Sequence, residues 1–542
     1  MSEHGGGDSV KGTLTGRHGP SPPGTDHGAS TGQTNLWTGV RPLSSWVLPG
    51  AILVFSLASC ARLIAEQLGR IFLLGEAGYG DVYFFHVAQQ FQRTGLIYPD
   101  PARELPIVYG PMLWVLLALP ERLATWANPL LGPRLIVIAA FLLCVAVVAS
   151  ITRALMPHRK LWLWSVPLAL SFASMSPWVL QIRGDFMAIF FSLLAVRLLL
   201  ARKLGLVLLA GACAGFATQF KFIYLAALGA GIFWLALNRR WKASAFFALA
   251  GGVTSLGIYG LFALREPRML DNLLSLRGPL VDFAGAGGII YRIVSEPIAL
   301  LGLCAVPFLR WRLRSRWTLL ALFAGFSFAI GAATVLQAGA NINYFFEFLF
   351  GLAPLAALAI LGIRRHGFGV AGLWLSALVL ICLALPIGKA AIEVARTWPE
   401  ETRVHNREMT ALQGAMRDQR VLSLVPSVAL FAPEIVLSEP FGAAHYERIG
   451  RFDLHPLAGR IRSQAFDLIV TSQEPARFRG VDHLSPTLRS AIVEAYQPFC
   501  AKGNLVMFFR RGSIGQGALG RRLAALGCDA DACLAGPVCR SW

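Results

Sequence analysis

Charge is what this chain has least of. Only 15% of its 542 residues are Asp, Glu, Lys or Arg, against 55% hydrophobic, where a soluble protein carries about a quarter charged. That shortage excludes a soluble globular fold: runs of about 20 apolar residues separated by short basic loops read as transmembrane helices. Acids are scarcer still, 30 against 49 Lys and Arg, for a net charge of +19. Much of the basic excess sits in short loops between apolar runs, such as Arg310-Trp311-Arg312-Leu313-Arg314-Ser315-Arg316. That is where membrane topology places it, so nucleic acid is not an expected partner. No Gly-rich phosphate fingerprint directly follows a strand pattern in the C-terminal part. No apolar core follows a short basic start, so no cleavable signal is expected and Trp46 to Ile64 reads as an uncleaved anchor.

What is present is organised by apolar segments. Residues 1–42, rich in Gly, Ser, Thr and Pro, read as a disordered cytoplasmic tail. After the first span, apolar segments begin near Val108, Leu135, Leu161, Phe186, Leu204, Phe222, Ala243, Ile289, Thr318, Tyr344 and Phe368. Pro111, Pro120, Glu121 and Arg122 interrupt the one at Val108. If that segment lies in the outer interface, Arg153/Arg159/Lys160, Arg202/Lys203, Arg239/Arg240/Lys242, Arg310 to Arg316 and Arg364/Arg365 all fall inside. If it spans, all fall outside, against the positive-inside tendency. The expected fold is therefore a mainly α-helical polytopic membrane protein of about eleven spans over residues 43–390, N-terminus inside and C-terminus outside. Residues 67–131 form the first external loop, with a Pro-interrupted interfacial helix. The spans from Leu204 and Phe222 meet at Gln219-Phe220-Lys221 with almost no turn, and alternation puts Lys221 on the outer face.

After Ile387 helical and strand-like patches alternate: Glu408 to Arg417, Val421 to Val425, Glu434 to Leu437, Leu454 to Ser463, Phe466 to Thr471, Leu484 to Glu494 and Asn504 to Phe509. This predicts a small extracytoplasmic α/β domain over 391–512, a scaffold or acceptor-docking module, and a cysteine-containing tail over 513–542. Cys500, Cys528, Cys533 and Cys539 allow two disulfides in three connectivities in an oxidising compartment. No histidine stands at ligand spacing in that tail, which disfavours a metal site. Cys60, Cys144, Cys213, Cys304 and Cys382 lie in or beside spans and read as packing residues.

Four polar clusters fall on one membrane face in this topology: Asp81 with Tyr83 and His86; Gln181-Ile182-Arg183-Gly184-Asp185; Gln219 and Lys221; and Asn341-Ile342-Asn343-Tyr344-Phe345-Phe346-Glu347. Ionisable groups near the membrane are costly and usually functional. Each also has a plainer reading. Asp81 is a solvated loop acid or a catalytic base. Arg183 and Asp185 are a local pair at a helix end or substrate contacts, and Lys221 is an interfacial anchor or a phosphate ligand. Asn343, Tyr344 and Glu347 form an interfacial belt or a binding edge, and His86 is a helix neighbour rather than a ligand.

In layout and short motifs the chain resembles the GT-C membrane glycosyltransferases that use polyprenyl-phosphate sugars, in the protein mannosyltransferase, aminoarabinose transferase and mycobacterial mannosyltransferase branches. The carriers are Gly80-Asp81-Val82-Tyr83, Thr94-Gly95-Leu96-Ile97-Tyr98-Pro99, Tyr109-Gly110-Pro111-Met112, the small-residue run Gly211 to Lys221, and Asn343-Tyr344 with Glu347. The resemblance covers about residues 43 to 510. It implies an inverting transfer of a sugar from a polyprenyl-phosphate donor, drawn from the membrane lipid, to an extracytoplasmic glycolipid, polysaccharide or protein at a bacterial inner membrane. Asp81 would be the general base, and Tyr83, Arg183, Asp185, Lys221, Asn343, Tyr344 and Glu347 the substrate-binding set. Many relatives carry a second acid beside the first. Here Val82 and Tyr83 follow, which weakens a metal role, leaves Asp81 the base candidate and makes Glu76 its fallback. No cofactor or metal is expected. The rival classes are a transporter or flippase of a lipid-linked precursor and a non-catalytic envelope assembly subunit.

Overall fold

A computed structural model describes residues 41–528 except 78–79, 101–104, 124–127, 157–159, 173, 276–280, 304–315, 338–339, 367–369, 433–435, 438–439, 473–476, 479–480, 483, 503–504 and 513–517. The expected N-terminal tail over its first 40 residues, Cys304, and the tail cysteines Cys533 and Cys539 lie outside the described residues. Helices dominate. The long first helix α1 (Arg41–Arg70) is followed by three short ones, α2 (Asp81–Thr94), α3 (Pro111–Leu117) and α4 (Leu119–Leu123), where one interfacial helix is expected. Pro111 opens α3 with Gly110 as its cap residue, the position where a missing N–H costs nothing.

Then come α5 (Leu131–Leu155), α6 (Ser165–Leu170), α7 (Asp185–Leu199), α8 (Leu204–Ala217), α9 (Ala226–Leu237), α10 (Trp241–Arg265) and α11 (Met269–Leu274). They are followed by α12 (Phe283–Val294), α13 (Pro297–Leu303), α14 (Arg316–Thr334), α15 (Phe346–His366) and α16 (Val370–Met416). All eleven apolar segments read as spans contain helix. Among the described residues five helices are long and apolar enough to cross a bilayer, or six if α12 and α13, bent by 75°, make one span. The helices α8 and α9, at 14 and 12 residues, reach only about 18–21 Å at 1.5 Å per residue, short of a ~30 Å hydrocarbon core. Length and composition thus support an integral membrane protein.

The packing explains the small-residue run. A Cβ on Gly211 would stand 2.3 Å from the Phe247 carbonyl oxygen, and one on Gly215 2.2 Å from that of Gly251. The helices α8 and α10 therefore cross backbone to backbone, as small residues allow in lipid. The rest of α10 turns Leu249, Val253, Leu256, Leu261 and Leu264 outward, a face suited to acyl chains.

Beyond the apolar part, α16 continues without a break across the expected domain boundary near 390. It leads to a four-stranded sheet in the order β1 (Val421–Ser423), β2 (Leu468–Ser472), β6 (Leu505–Arg510), β5 (Tyr496–Lys502). Strands β1 and β2 pair parallel, and the other two pairings are antiparallel. A two-stranded ribbon, β3 (Arg477–Phe478) and β4 (Val481–Asp482), stands apart. The sheet is flanked by α17 (Pro426–Ala429), α18 (Pro440–Arg448), α19 (His455–Arg462), α20 (Pro486–Ala495) and α21 (Ala518–Ala524). Three of the four strand-like patches become β1, β2 and β6. Of the fourth, Glu434 to Leu437, the first two residues lie outside the described ones, and Val436 and Leu437 are not in a strand. Of the candidate disulfides, Cys500–Cys528 is formed.

Gly215→Val should lower the thermal unfolding temperature in detergent, by the equivalent of ~1–3 kcal/mol of overpacking. Gly252→Val, at a position with nothing within 4 Å of its Cβ, should leave it nearly unchanged.

Candidate active site

Asp81 is not a loop acid. It is the first residue of α2 and is 1% exposed. Gly80, at φ +94°, takes the left-handed turn into the helix, a conformation glycine adopts without strain. Glu76 supplies the cap: its Oε1 accepts from the Gly80 amide at 2.9 Å and the Val82 amide at 3.2 Å, satisfying donors that a helix start leaves open. The fallback base is thus the residue that fixes the helix start. The Asp81 Oδ1 accepts from the Ile182 amide at 2.8 Å and Oδ2 from the Ala77 amide at 2.9 Å. Burial pushes the Asp81 pKa above the usual aspartate range, while Arg134, the two amides and Arg183 pull it part of the way back.

Arg134, in the first turn of α5, escapes sequence reasoning because it stands in the apolar run Leu131-Gly132-Pro133-Arg134-Leu135-Ile136. Its guanidinium lies 3.7 Å from Asp81 Oδ2, with both side chains inaccessible to solvent. It also donates to the carbonyls of Arg70 (3.4 Å), Ile71 (3.3 Å), Leu73 (2.7 Å) and Gly75. A lone Arg at the start of an otherwise apolar segment was the available signal.

The second cluster arrives with the Ile182 amide. Arg183 sits over the rings of Trp178 (5.0 Å) and Phe84 (5.7 Å) and acts electrostatically on Asp81, Asp185 and Tyr109. Asp185 opens α7, where the helix dipole favours an anion. Its main partner is not the neighbouring arginine. The Asp185 Oδ1 accepts from Lys221 Nζ at 3.1 Å, the Tyr224 hydroxyl at 2.7 Å and Asn343 Nδ2 at 3.0 Å. Oδ2 has no hydrogen-bond partner among the described residues. Lys221 is buried and lies 4.1 Å above the Tyr344 ring. It is a paired cation, not an exposed interfacial anchor.

Gly110 joins the first loop to this group. A Cβ there would stand 2.1 Å from the Gln219 carbonyl oxygen, so the backbone of 109–111 lies directly on Gln219-Phe220-Lys221. Tyr109 is thereby held beside Phe84, ring to ring at 4.8 Å, within electrostatic reach of Arg183, Lys221, Asp185 and Tyr344. Burial raises its phenol pKa, and the two cations oppose the rise. Tyr98 donates to the Tyr109 carbonyl at 2.8 Å. The buried Glu266 accepts from the amides of Ile97 (2.7 Å) and Tyr98 (2.6 Å), and Asn272 Oδ1 from that of Ile107 (2.8 Å). Neither holder was evident in the sequence, since their partners lie more than 160 residues away.

Tyr83 packs edge-on to Trp114 at 6.2 Å, with Tyr109 and Tyr446 near its hydroxyl, and burial raises its pKa. His86 is half-buried on the same helix. Glu347, 3% exposed, is flanked by Ser192 and Ser327 and stands behind Tyr224, away from the Asp81 end. Among the described residues no three His, Cys, Asp or Glu side chains are grouped to hold a metal ion.

Neither a protein-family model nor a curated protein sequence matches the chain. Solved structures do. ArnT from Cupriavidus metallidurans in the apo state superposes with a TM-score of 0.56 at 12% identity, covering 85% of this chain and 98% of that one. The chain shares its fold with this ArnT. The same ArnT bound to undecaprenyl phosphate superposes at 0.55 with 13% identity, over 84% of this chain and 98% of the other. At such identity the likeness concerns the fold. Within this shared fold, the first-loop acid, the Arg183–Asp185 turn, Lys221 and the Asn343-Tyr344 element come together as one buried polar group.

Arg134→Met should be strongly destabilising, by roughly 3–5 kcal/mol, because it leaves a buried carboxylate without its cation. Adding Asp81→Asn to Arg134→Met should recover part of that loss, read as thermal unfolding of the detergent-solubilised protein.

Proposed function

We propose that the protein is an integral-membrane glycosyltransferase that moves a hexosyl or pentosyl unit from a polyprenyl-phosphate donor to an extracytoplasmic acceptor, a glycan, glycolipid or protein. The observation that carries this reading is the convergence of four sequence-distant motifs on one buried acid–cation group. It stands in a fold whose solved relative binds undecaprenyl phosphate. The eleven-span topology, with the site and the C-terminal part on the outer face of a bacterial inner membrane, belongs to the same proposal. The basic loops support it.

In the reaction the acceptor hydroxyl displaces one amide donor from Asp81, whose carboxylate takes its proton as the acceptor oxygen bonds to the anomeric carbon. The bond from that carbon to the phosphate oxygen breaks on the opposite side, inverting the centre, and polyprenyl phosphate leaves with the electron pair. Arg183 and Lys221 stabilise the leaving phosphate electrostatically in a water-poor setting. Asp185 fixes the Lys221 ammonium in place and leaves its other N–H donors for the donor lipid. Tyr83, Asn343 and Tyr344 form the sugar-facing edge, and Glu347 backs it through Tyr224.

Purified protein in proteoliposomes, assayed against a panel of polyprenyl-phosphate sugars, tests the reading. Asp81→Asn should abolish transfer, a loss of about 10²-fold or more, with folding intact; near-wild-type turnover sinks the base assignment. Because Asp81 acts as carboxylate and its pKa is raised by burial, activity should fall with decreasing pH along a limb above the ordinary aspartate value of about 3.9. Lys221→Ala should chiefly raise the KM for the donor lipid. Unchanged donor kinetics would count against its phosphate role.

A further inference from the structure

The loop that carries chain from α1 to Asp81 is gripped from two sides. From one side comes Arg134. From the other come side chains of the outward extension of α16 and of α17, each bonded to loop backbone. Thr402 donates to the Gly69 carbonyl at 2.6 Å. The Asn406 amide donates to the Phe72 carbonyl at 2.9 Å and accepts from the Leu74 amide at 2.7 Å. A ring nitrogen of His405 bonds the Leu74 carbonyl at 2.8 Å. Ser427 Oγ accepts from the Glu76 amide at 2.9 Å. With Arg134 on the carbonyls of 70, 71, 73 and 75, every residue from Gly69 to Glu76 has a backbone group held by a side chain. Such a full account is unusual for an irregular segment, whose polar groups ordinarily face water.

The grip reaches the carboxylate in two steps. Ser427 fixes the backbone of Glu76, whose side chain caps α2 through Gly80 and Val82. The next residue, Ala77, donates its amide to Asp81 itself. Gly75, at φ +113°, leaves room for Ser427, whose Oγ would stand 3.1 Å from a Cβ there. The contacts fall on Gly69, Phe72, Leu74 and Glu76 and lie 331 to 351 positions away in sequence.

We propose that Thr402, His405, Asn406 and Ser427 are positioning residues for Asp81, making the outer end of α16 and the start of the following α/β part a brace of the active site rather than an accessory module. This rests on the assignment of Asp81 as base. The groups facing Asp81 include Arg134 from α5, Arg183 from the turn before α7, and the Ala77 and Ile182 amides. Glu76 acts on Arg134 from the acid's own loop. Loosening the loop weakens the Ala77 bond, one of the contacts that favour the carboxylate. The sign follows: Asp81 should then gain its proton at a higher pH than in the wild type.

The test compares pH–rate profiles and steady-state constants of full-length wild type, Asn406→Asp, Ser427→Ala, Ser427→Thr and Asp81→Asn in proteoliposomes with one accepted polyprenyl-phosphate sugar. Asn406→Asp replaces the donor facing the Phe72 carbonyl by an oxygen. Ser427→Ala deletes the acceptor at Glu76, and should Asn406→Asp not fold, it carries the same comparison. The expected result is a kcat lowered about tenfold, equivalent to ~1.4 kcal/mol in the barrier, an unchanged donor KM and an acid limb moved to higher pH. Ser427→Thr, which keeps the hydroxyl, should restore the wild-type profile. An acid limb that stays put, or a loss of rate that only tracks folded protein, overturns the brace. Activity retained in Asp81→Asn overturns the base assignment and the brace with it. A dead Asp81→Asn beside unmoved brace variants overturns the brace alone.

Discussion

The site is organised around a guanidinium that has no water to share. Arg134 is wholly buried, and desolvating such a cation costs several kcal/mol unless good partners replace the water. It finds them at the end of α1, where the last carbonyls of a helix lack intrahelical donors and carry the negative end of the dipole. Four carbonyls between Arg70 and Gly75 and the Asp81 carboxylate surround its two terminal nitrogens, while Nε has no hydrogen-bond partner among the described residues. Lysine, with a single charged point, could not span them. One residue therefore closes α1, shapes the loop and counter-charges the acid, so these three features stand or fall together.

The second charged centre obeys the same constraint with different parts. Asp185 is held by a helix start and three donors from two other segments, Lys221 and Tyr224 between α8 and α9 and Asn343 before α15. Arg183 acts electrostatically on both centres and lies over the aromatic faces of Trp178 and Phe84. Weakly hydrated guanidinium tolerates such a stacked setting better than ammonium does.

Much of this was legible in the residues. Apolar runs marked each helical segment, alternation marked β1, β2 and β6, and the polar clusters that charge counting put on one face do meet. The shortness of α8 and α9 was not legible, because an apolar run gives composition while helix length is set by breaks such as 218–225. Strand β5 was missed because Tyr496–Lys502 contains Pro498 and a bulge between Pro498 and Cys500, which spoil the period of two. The plain reading of Asp81 as a solvated acid failed for a specific reason. Burial depends on Arg134 and the Ile182 amide, and nothing local in Gly80-Asp81-Val82-Tyr83 announces either.

The continuity of α16 changes how the C-terminal part relates to the acid. A linker at 390 would have let a docking module move by itself. Instead a single helix of 47 residues enters from the apolar region, passes Gly69 and the 72–74 loop, and ends beside β1. A helix transmits displacement along its axis far better than a flexible linker does. Any load placed on the sheet therefore reaches the loop that positions Asp81, through hydrogen bonds already formed. The basicity of Asp81 follows from a balance between burial and a few directed contacts. Small shifts in that loop consequently act on the proton affinity of Asp81.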